Sequence, residues 1–253
     1  MLMRILHVAL GIAACIALIL MSGSYVVAQT ADGGYKTFRP DGPGPHPAVV
    51  FLPGCSGFAP SFAPKHYERV AEQFRGKGYV VVFADYIGRR GLKSCMEVTH
   101  SEAAKDLIGA AVWLKSQPSI DPARITALGW SYGGGAVLRA LSDYNAEQLV
   151  FSRAIVYFPD CKNVSPWKTK VPVLMLLAGE DNVDPNTPCQ EAAKKSAIPD
   201  AVKIVVYPGA QHCFDMSELP AKMKYASAGT IGYHQQAAAA AWEEIERFLQ
   251  SAR

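Results

Sequence analysis

Ile125-Thr126-Ala127-Leu128-Gly129-Trp130-Ser131-Tyr132-Gly133-Gly134-Gly135 runs from an apolar segment into a serine with a glycine two places to either side. Ile125–Leu128 reads as a short strand and Tyr132–Ser142 as a helix, so Ser131 falls on the turn between them. A sharp strand-to-helix turn forces its central residue into a strained backbone conformation and pushes that side chain clear of the turn. Side chains two places away would strike the adjoining strand and helix, and both positions are glycine. A serine in that setting is a candidate nucleophile.

Segments on both sides repeat the strand-helix alternation. Ala48-Val49-Val50-Phe51-Leu52 is a continuous apolar run between Pro47 and Pro53, the pattern of a strand buried on both faces. Lys65–Lys77 is a polar helix with Tyr67, Val70, Ala71 and Phe74 on one stripe, ended by Gly78, and Tyr79–Phe83 is the next strand. Thr99-x-x-Glu102 is a capping box, and the helix it opens stops before Pro118. Ala154–Phe158, Val173–Leu177 and Val202–Tyr207 read as strands, Gln190–Ser196 as a short helix and Tyr233–Gln250 as the last helix. This order predicts an α/β fold: a mostly parallel central sheet flanked by helices, with right-handed crossovers and a ligand site beyond the carboxyl ends of the strands. At 253 residues, with 50% hydrophobic and 19% charged, one such domain can bury a core, and bulk disorder is excluded. The 25 basic residues nearly balance the 22 acidic ones, which speaks against a nucleic-acid partner.

A serine hydroxyl needs a general base. His7 lies in the amino-terminal apolar region, His46 between prolines, His66 and His100 at helix starts and His234 on the last helix. His212 alone follows the last strand, and it completes the chain order serine, acid, histidine. The acid should come from the loop after Val173–Leu177, where Glu180, Asp181 and Asp184 are all in range. Asp181 is favoured for its place just past the strand end, with Asp184 as the alternative and Glu180 third. Oxyanion donors are expected from the backbone N–H of Tyr132 and, in the Pro53-Gly54-Cys55-Ser56-Gly57 loop, from that of Cys55.

The amino terminus reads as an export signal. Arg4 precedes an apolar run from Ile5 to Met21, and Val26-Val27-Ala28 has small residues where signal peptidase wants them. Cleavage is expected after Ala28, leaving 29–253 as the folded domain in the periplasm or outside the cell, without stable membrane association. An uncleaved N-terminal membrane anchor is the alternative, and Cys15 stands in a loose lipoprotein-like context.

Three blocks together resemble the dienelactone hydrolase family of the α/β-hydrolase fold. They are Asp121-Pro122-Ala123-Arg124-Ile125 leading into Gly129-Trp130-Ser131-Tyr132-Gly133-Gly134, the turn Gly179-x-Asp181-x-x-x-Pro185, and Tyr207-Pro208-Gly209-Ala210-x-His212-x-Phe214. The resemblance spans from about Tyr35 to the carboxyl end and favours Asp181 over Asp184. It implies hydrolysis of a small ester or lactone through an acyl-enzyme, with no cofactor and no metal. Two positions depart from the family: Ser131 stands where the namesake enzymes use a cysteine, and no counterpart of their activating glutamate lies near Gly54. The elbow alone also looks like that of cutinase-like polyester hydrolases. A substrate-carboxylate arginine is implied near Asp85-Tyr86-Ile87-Gly88-Arg89-Arg90, making Arg89 and Arg90 candidates, with Tyr86 and Trp130 as candidate apolar walls.

Export makes the cysteines disulfide candidates. Cys161 and Cys189 each follow a strand on the active face, and Cys55 and Cys95 lie in loops of that face. Pairs Cys161–Cys189 and Cys55–Cys95 are therefore expected, at about 2–4 kcal/mol each. Cys213 is left as the odd thiol, pointing away from His212 if the loop is extended. About a dozen residues separate Phe158 from Val171, too few for a large cap domain. The rival readings are a short-peptide serine peptidase and, from another class, a catalytically silent exported binding protein on the same fold.

Overall fold

Along the second strand of the central sheet, Val49 and Phe51 enter one core and Val50 and Leu52 the other. A strand with both faces buried has to be apolar throughout. The protein, a computed structural model, is described over residues 33–59, 62–145, 148–162, 164–167, 169–225 and 229–251. The expected signal segment and the Ala28 cleavage point lie outside the described residues.

The main sheet has seven strands: β1 (Lys36–Phe38), β2 (His46–Leu52), β3 (Val80–Phe83), β4 (Ile120–Trp130), β5 (Arg153–Tyr157), β6 (Val173–Ala178) and β7 (Val202–Tyr207), in the spatial order β1-β3-β2-β4-β5-β6-β7. β1 is antiparallel to β3, and the remaining pairs are parallel. From β2 the chain steps outward to β3 and then returns past β2 to β4, so the strand order reverses there. Loops leaving adjacent strands at such a reversal diverge and leave a crevice. The loop after β2 and the elbow after β4 flank it.

Helices α2 (His100–Lys115), α3 (Tyr132–Asp143) and α4 (Asn186–Lys194) cover one face with Leu107, Leu138 and Ala192. Helices α1 (Ala63–Gly76) and α5 (Gln235–Gln250) cover the other with Phe74 and Ile245. The capping box is formed: Thr99 Oγ1 accepts from the Glu102 N–H at 3.2 Å, and Glu102 Oε2 accepts from the Thr99 N–H at 2.8 Å. No large cap interrupts the segment between β5 and β6, as its length requires. Among the described residues, no helix is long and apolar enough to cross a membrane.

Several elements differ from the expectation, among them β4, which begins at Ile120 rather than Ile125. α4 begins at Asn186 rather than Gln190, because Pro188 falls in its first turn, where a proline costs no hydrogen bond. β5 stops at Tyr157, since Phe158 turns to φ 32°. β1 and an antiparallel hairpin, β8 (Met223–Tyr225) with β9 (Gly229–Ile231), are each three residues per strand, too short to leave a readable alternation.

A very tight backbone approach lies at the reversal. A Cβ on Gly133 would stand 2.3 Å from the carbonyl oxygens of Leu52 and Pro53. Those oxygens belong to the buried end of β2 and the residue after it, main chain that cannot yield. Gly133→Ala should therefore destabilise the protein by about 3 kcal/mol or more, read by urea unfolding.

Candidate active site

Ser131 has φ 51° and ψ −121°, in the left-handed half of backbone space. Its N–H donates to the Tyr157 carbonyl at 2.9 Å, and its own carbonyl accepts from Gly135 and Asp160 N–H at 2.9 and 3.0 Å. β5 and the first turn of α3 thus hold the strained residue in place. On the other side of the elbow, a Cβ on Gly129 would stand 2.6 Å from the Gly133 carbonyl oxygen.

His212 Nε2 lies 3.0 Å from Ser131 Oγ, and its Nδ1 lies 2.8 Å from Asp181 Oδ2. A carboxylate opposite Nδ1 fixes the proton there and leaves Nε2 as the acceptor facing the hydroxyl. The other Asp181 oxygen accepts the N–H groups of Val183 and Asp184 at 3.0 and 2.9 Å, so its own loop locks the carboxylate. The three acids of that loop are separated by geometry. Asp181 meets the imidazole. Asp184 Oδ2 instead stands 3.5 Å from Ser131 Oγ. Glu180 accepts from the Gln211 side chain at 2.7 Å. The Phe158 ring packs 4.6 Å from the imidazole.

Ser131, His212, Asp184 and Phe158 open into a cavity of about 250 Å³ that Cys55 and Tyr132 also line. Tyr132 is the first residue of α3, so its N–H has no acceptor within the helix. The turn carrying Cys55 is braced from two sides: Gly54 N–H donates to Tyr67 Oη at 2.8 Å, and Tyr86 Oη donates to the Gly54 carbonyl at 3.2 Å. Cys55 and Cys95 form a disulfide with a Cα separation of 4.5 Å, and the Cys95 N–H donates to the Cys55 carbonyl. Cys161 and Cys189 form a second, with a Cα separation of 5.1 Å.

The remaining candidates divide. Trp130 is fully buried and forms part of the cavity wall. Tyr86 is fully buried behind the Gly54 turn and does not line the cavity. The two arginines are turned elsewhere. Arg90 makes a forked pair with Asp106 at 2.9 and 3.2 Å, while Arg89 donates to the Gly34 carbonyl and lies over the Tyr35 ring. Both guanidiniums are thus engaged away from the cavity, and neither lines it. Cys213 is the free cysteine of the described residues, and it sits at φ 65° with a place in the cavity wall. The loop is not extended there, so it does not point away as an extended segment would require. Burial, with the carboxylates of Asp215, Asp181 and Asp184, pushes its thiol well above the usual range, leaving a protonated and poor nucleophile.

Asp215, three residues after His212, carried no assigned role in the sequence. Its Oδ2 accepts from Trp130 Nε1 at 2.8 Å, joining the residue before Ser131 to the loop of His212. Arg69 Nη2 can only donate, so His66 Nδ1, 3.1 Å away, accepts. His66 Nε2 then carries the proton and stands 3.4 Å from Asp215. Burial holds His66 well below its usual pKa, hence neutral. Burial also raises Asp215 to about 7, against the pull of the Trp130 bond and of Arg69. Tyr225 and Ile231 of the β8–β9 hairpin complete the cavity wall, a contribution hidden with the hairpin itself.

The dienelactone hydrolase family model matches residues 34–253. An uncharacterised protein of Mycobacterium tuberculosis strain H37Rv is 28% identical over 218 residues, covering 77% of this chain and 74% of the relative. A Klebsiella pneumoniae protein provisionally described as a dienelactone hydrolase superposes with a TM-score of 0.67 at 18% identity, over 85% of this chain and 92% of its own. Thermogutta terrifontis esterase 2 phosphonylated by sarin superposes with a TM-score of 0.62 at 18% identity, over 85% and 88%. At such identities the two superpositions establish the fold.

Asp215 gives stability a pH dependence of defined sign. Its proton is held more tightly in the folded chain, so its contribution is full below the usual carboxylate pKa and is lost as pH rises through about 7. Asp215→Asn keeps an oxygen for Trp130 and removes the titration. Thermal melts should show the variant gaining on the wild type between pH 5 and pH 8, and a constant difference would refute the assignment.

Proposed function

Since the chain belongs to the dienelactone hydrolase family of carboxylic ester hydrolases, we propose that it cleaves small ester or lactone substrates through Ser131, His212 and Asp181. The carrying observation is the pair of contacts on His212, 3.0 Å to the serine hydroxyl and 2.8 Å to the carboxylate. As Ser131 Oγ attacks the carbonyl carbon, its proton passes to His212 Nε2, and Asp181 stabilises the imidazolium. The carbonyl electron pair moves onto oxygen, which the N–H groups of Tyr132 and Cys55 receive. Collapse breaks the bond to the alkoxy oxygen, which leaves with the proton from His212. Water, deprotonated by the same imidazole, then attacks the acyl-serine and frees the acid and the hydroxyl. In a lactone both products are parts of one molecule. Strain at Ser131 supports the reading, since a merely structural turn would have no need of it.

We also read the chain as exported. Two disulfides favour an oxidising compartment, and the Arg4, apolar-run and Val26-Val27-Ala28 pattern favours cleavage after Ala28. Intact mass of the protein recovered from the cell envelope or medium should start at Gln29; retention of residues 1–28 would refute cleavage there.

An organophosphonate modifies the esterase 2 described above, and the same chemistry tests this serine. A fluorophosphonate probe should add one adduct at Ser131 and none to Ser131→Ala. Labelling of both proteins alike would overturn the nucleophile. Asp181→Asn should lower kcat for a nitrophenyl ester by about 10³–10⁴-fold, through loss of the tautomer that presents Nε2 to the serine.

A further inference from the structure

The charged side chains that line the cavity beside the reacting serine are both carboxylates. Asp184, buried, stands 3.5 Å from Ser131 Oγ, and Asp160 lines the same cavity. Among the described residues no lysine or arginine lines it. Lys162 reaches Asp184 Oδ1 at 3.3 Å, but its side chain is exposed and outside the lining. His100 lies 3.8 Å from Asp160, and burial lowers its pKa, so it brings no positive charge at neutral pH. The arginines after β3, which could have met an anion, are engaged by Asp106, Gly34 and Tyr35. Phe62, Phe158, Val183, Met216 and Ile231 supply apolar wall that screens charge poorly.

Resting on the serine-hydrolase reading, we infer that this cavity rejects esters bearing a carboxylate near the scissile bond and accepts neutral or ammonium-bearing esters, with Asp184 setting the selectivity. An anionic substrate would lose its hydration in the cavity and meet a fixed carboxylate of like sign, offset only from outside the wall by the solvent-exposed Lys162 ammonium. An ammonium group would meet the same carboxylate favourably. The preference has a pH sense. Burial raises Asp184, Asp160 and Asp181 add to that, and His212 and Lys162 oppose it. Asp184 therefore takes up its proton at a less acidic pH than an ordinary aspartate. Selectivity against anions is full above that point and fades as pH falls through it.

Three nitrophenyl esters of matched length test this: a pentanoate, a hemiglutarate and a 4-(trimethylammonio)butyrate. At low ionic strength the wild type should show a kcat/KM for the pentanoate at least about ten-fold above the hemiglutarate, with the cationic ester no worse than the pentanoate. Asp184→Asn should narrow the neutral-to-anionic ratio at least about three-fold, and added salt should narrow it in the wild type. Equal turnover of hemiglutarate and pentanoate by the wild type would overturn the inference, as would an unchanged ratio in a folded Asp184→Asn. Should that variant fail to fold, the wild-type ratio and Asp160→Asn still decide. Failure of all three esters with Ser131 unlabelled by fluorophosphonate would instead remove the hydrolase reading, and the inference with it.

Discussion

One close approach of main chain to main chain underlies the molecule. The first turn of α3 passes so near the end of β2 that Gly133 has no room for a Cβ against the Leu52 and Pro53 carbonyls. That proximity lets the loop after β2 and the elbow after β4 share one crevice. It also fixes Ser131 at positive φ, because the chain must leave β4 and enter α3 within a single residue. Strain of this kind persists only when the surroundings over-determine it, and here β5, α3 and the Asp160 N–H all bond to the Ser131 main chain.

Precision at the elbow would be wasted if the histidine loop floated. Among the tethers that run from that loop to the rest of the site, two flank the serine contact. His212 is held to Asp181 after β6, and Asp215 is held to Trp130 just before the serine. The loop is therefore fixed on both sides of the Ser131–His212 contact. The Phe158 ring closes a third side of the imidazole, and it reaches that place because the chain turns to positive φ there. The disulfides brace the neighbouring loops, one at the Cys55 turn and the other between the segments after β5 and β6.

The electrostatics follow from the same arrangement. Asp181 and Asp184 are three residues apart in one turn, yet the turn sends the first to the imidazole and the second towards the hydroxyl. A loop built to lock one carboxylate thus brings another to the cavity. The buried Asp215 and His66 and the half-buried Arg69 lie outside the cavity lining, behind Trp130, where they act on stability and alignment rather than on a substrate.

Local sequence determined a good deal. Gly129-x-Ser131-x-Gly133 after an apolar run specified a strand, a sharp turn and a helix, because only glycine at those places tolerates the turn. Continuous apolar runs separated by amphipathic helices specified a parallel sheet, and the capping box fixed the start of α2. Chain order picked out His212. These signals are short-range: period, caps and turn chemistry act over a few residues. Tertiary structure alone decided which of three acids in one loop meets the imidazole, since all are within reach along the chain and only folding orients them. It also decided that Arg89 and Arg90 turn from the cavity, because their partners Gly34, Tyr35 and Asp106 are distant or unmarked in sequence. The same holds for the Trp130–Asp215 bond, whose partners are 85 residues apart. No local pattern encodes a contact that exists only once both strands have joined the sheet.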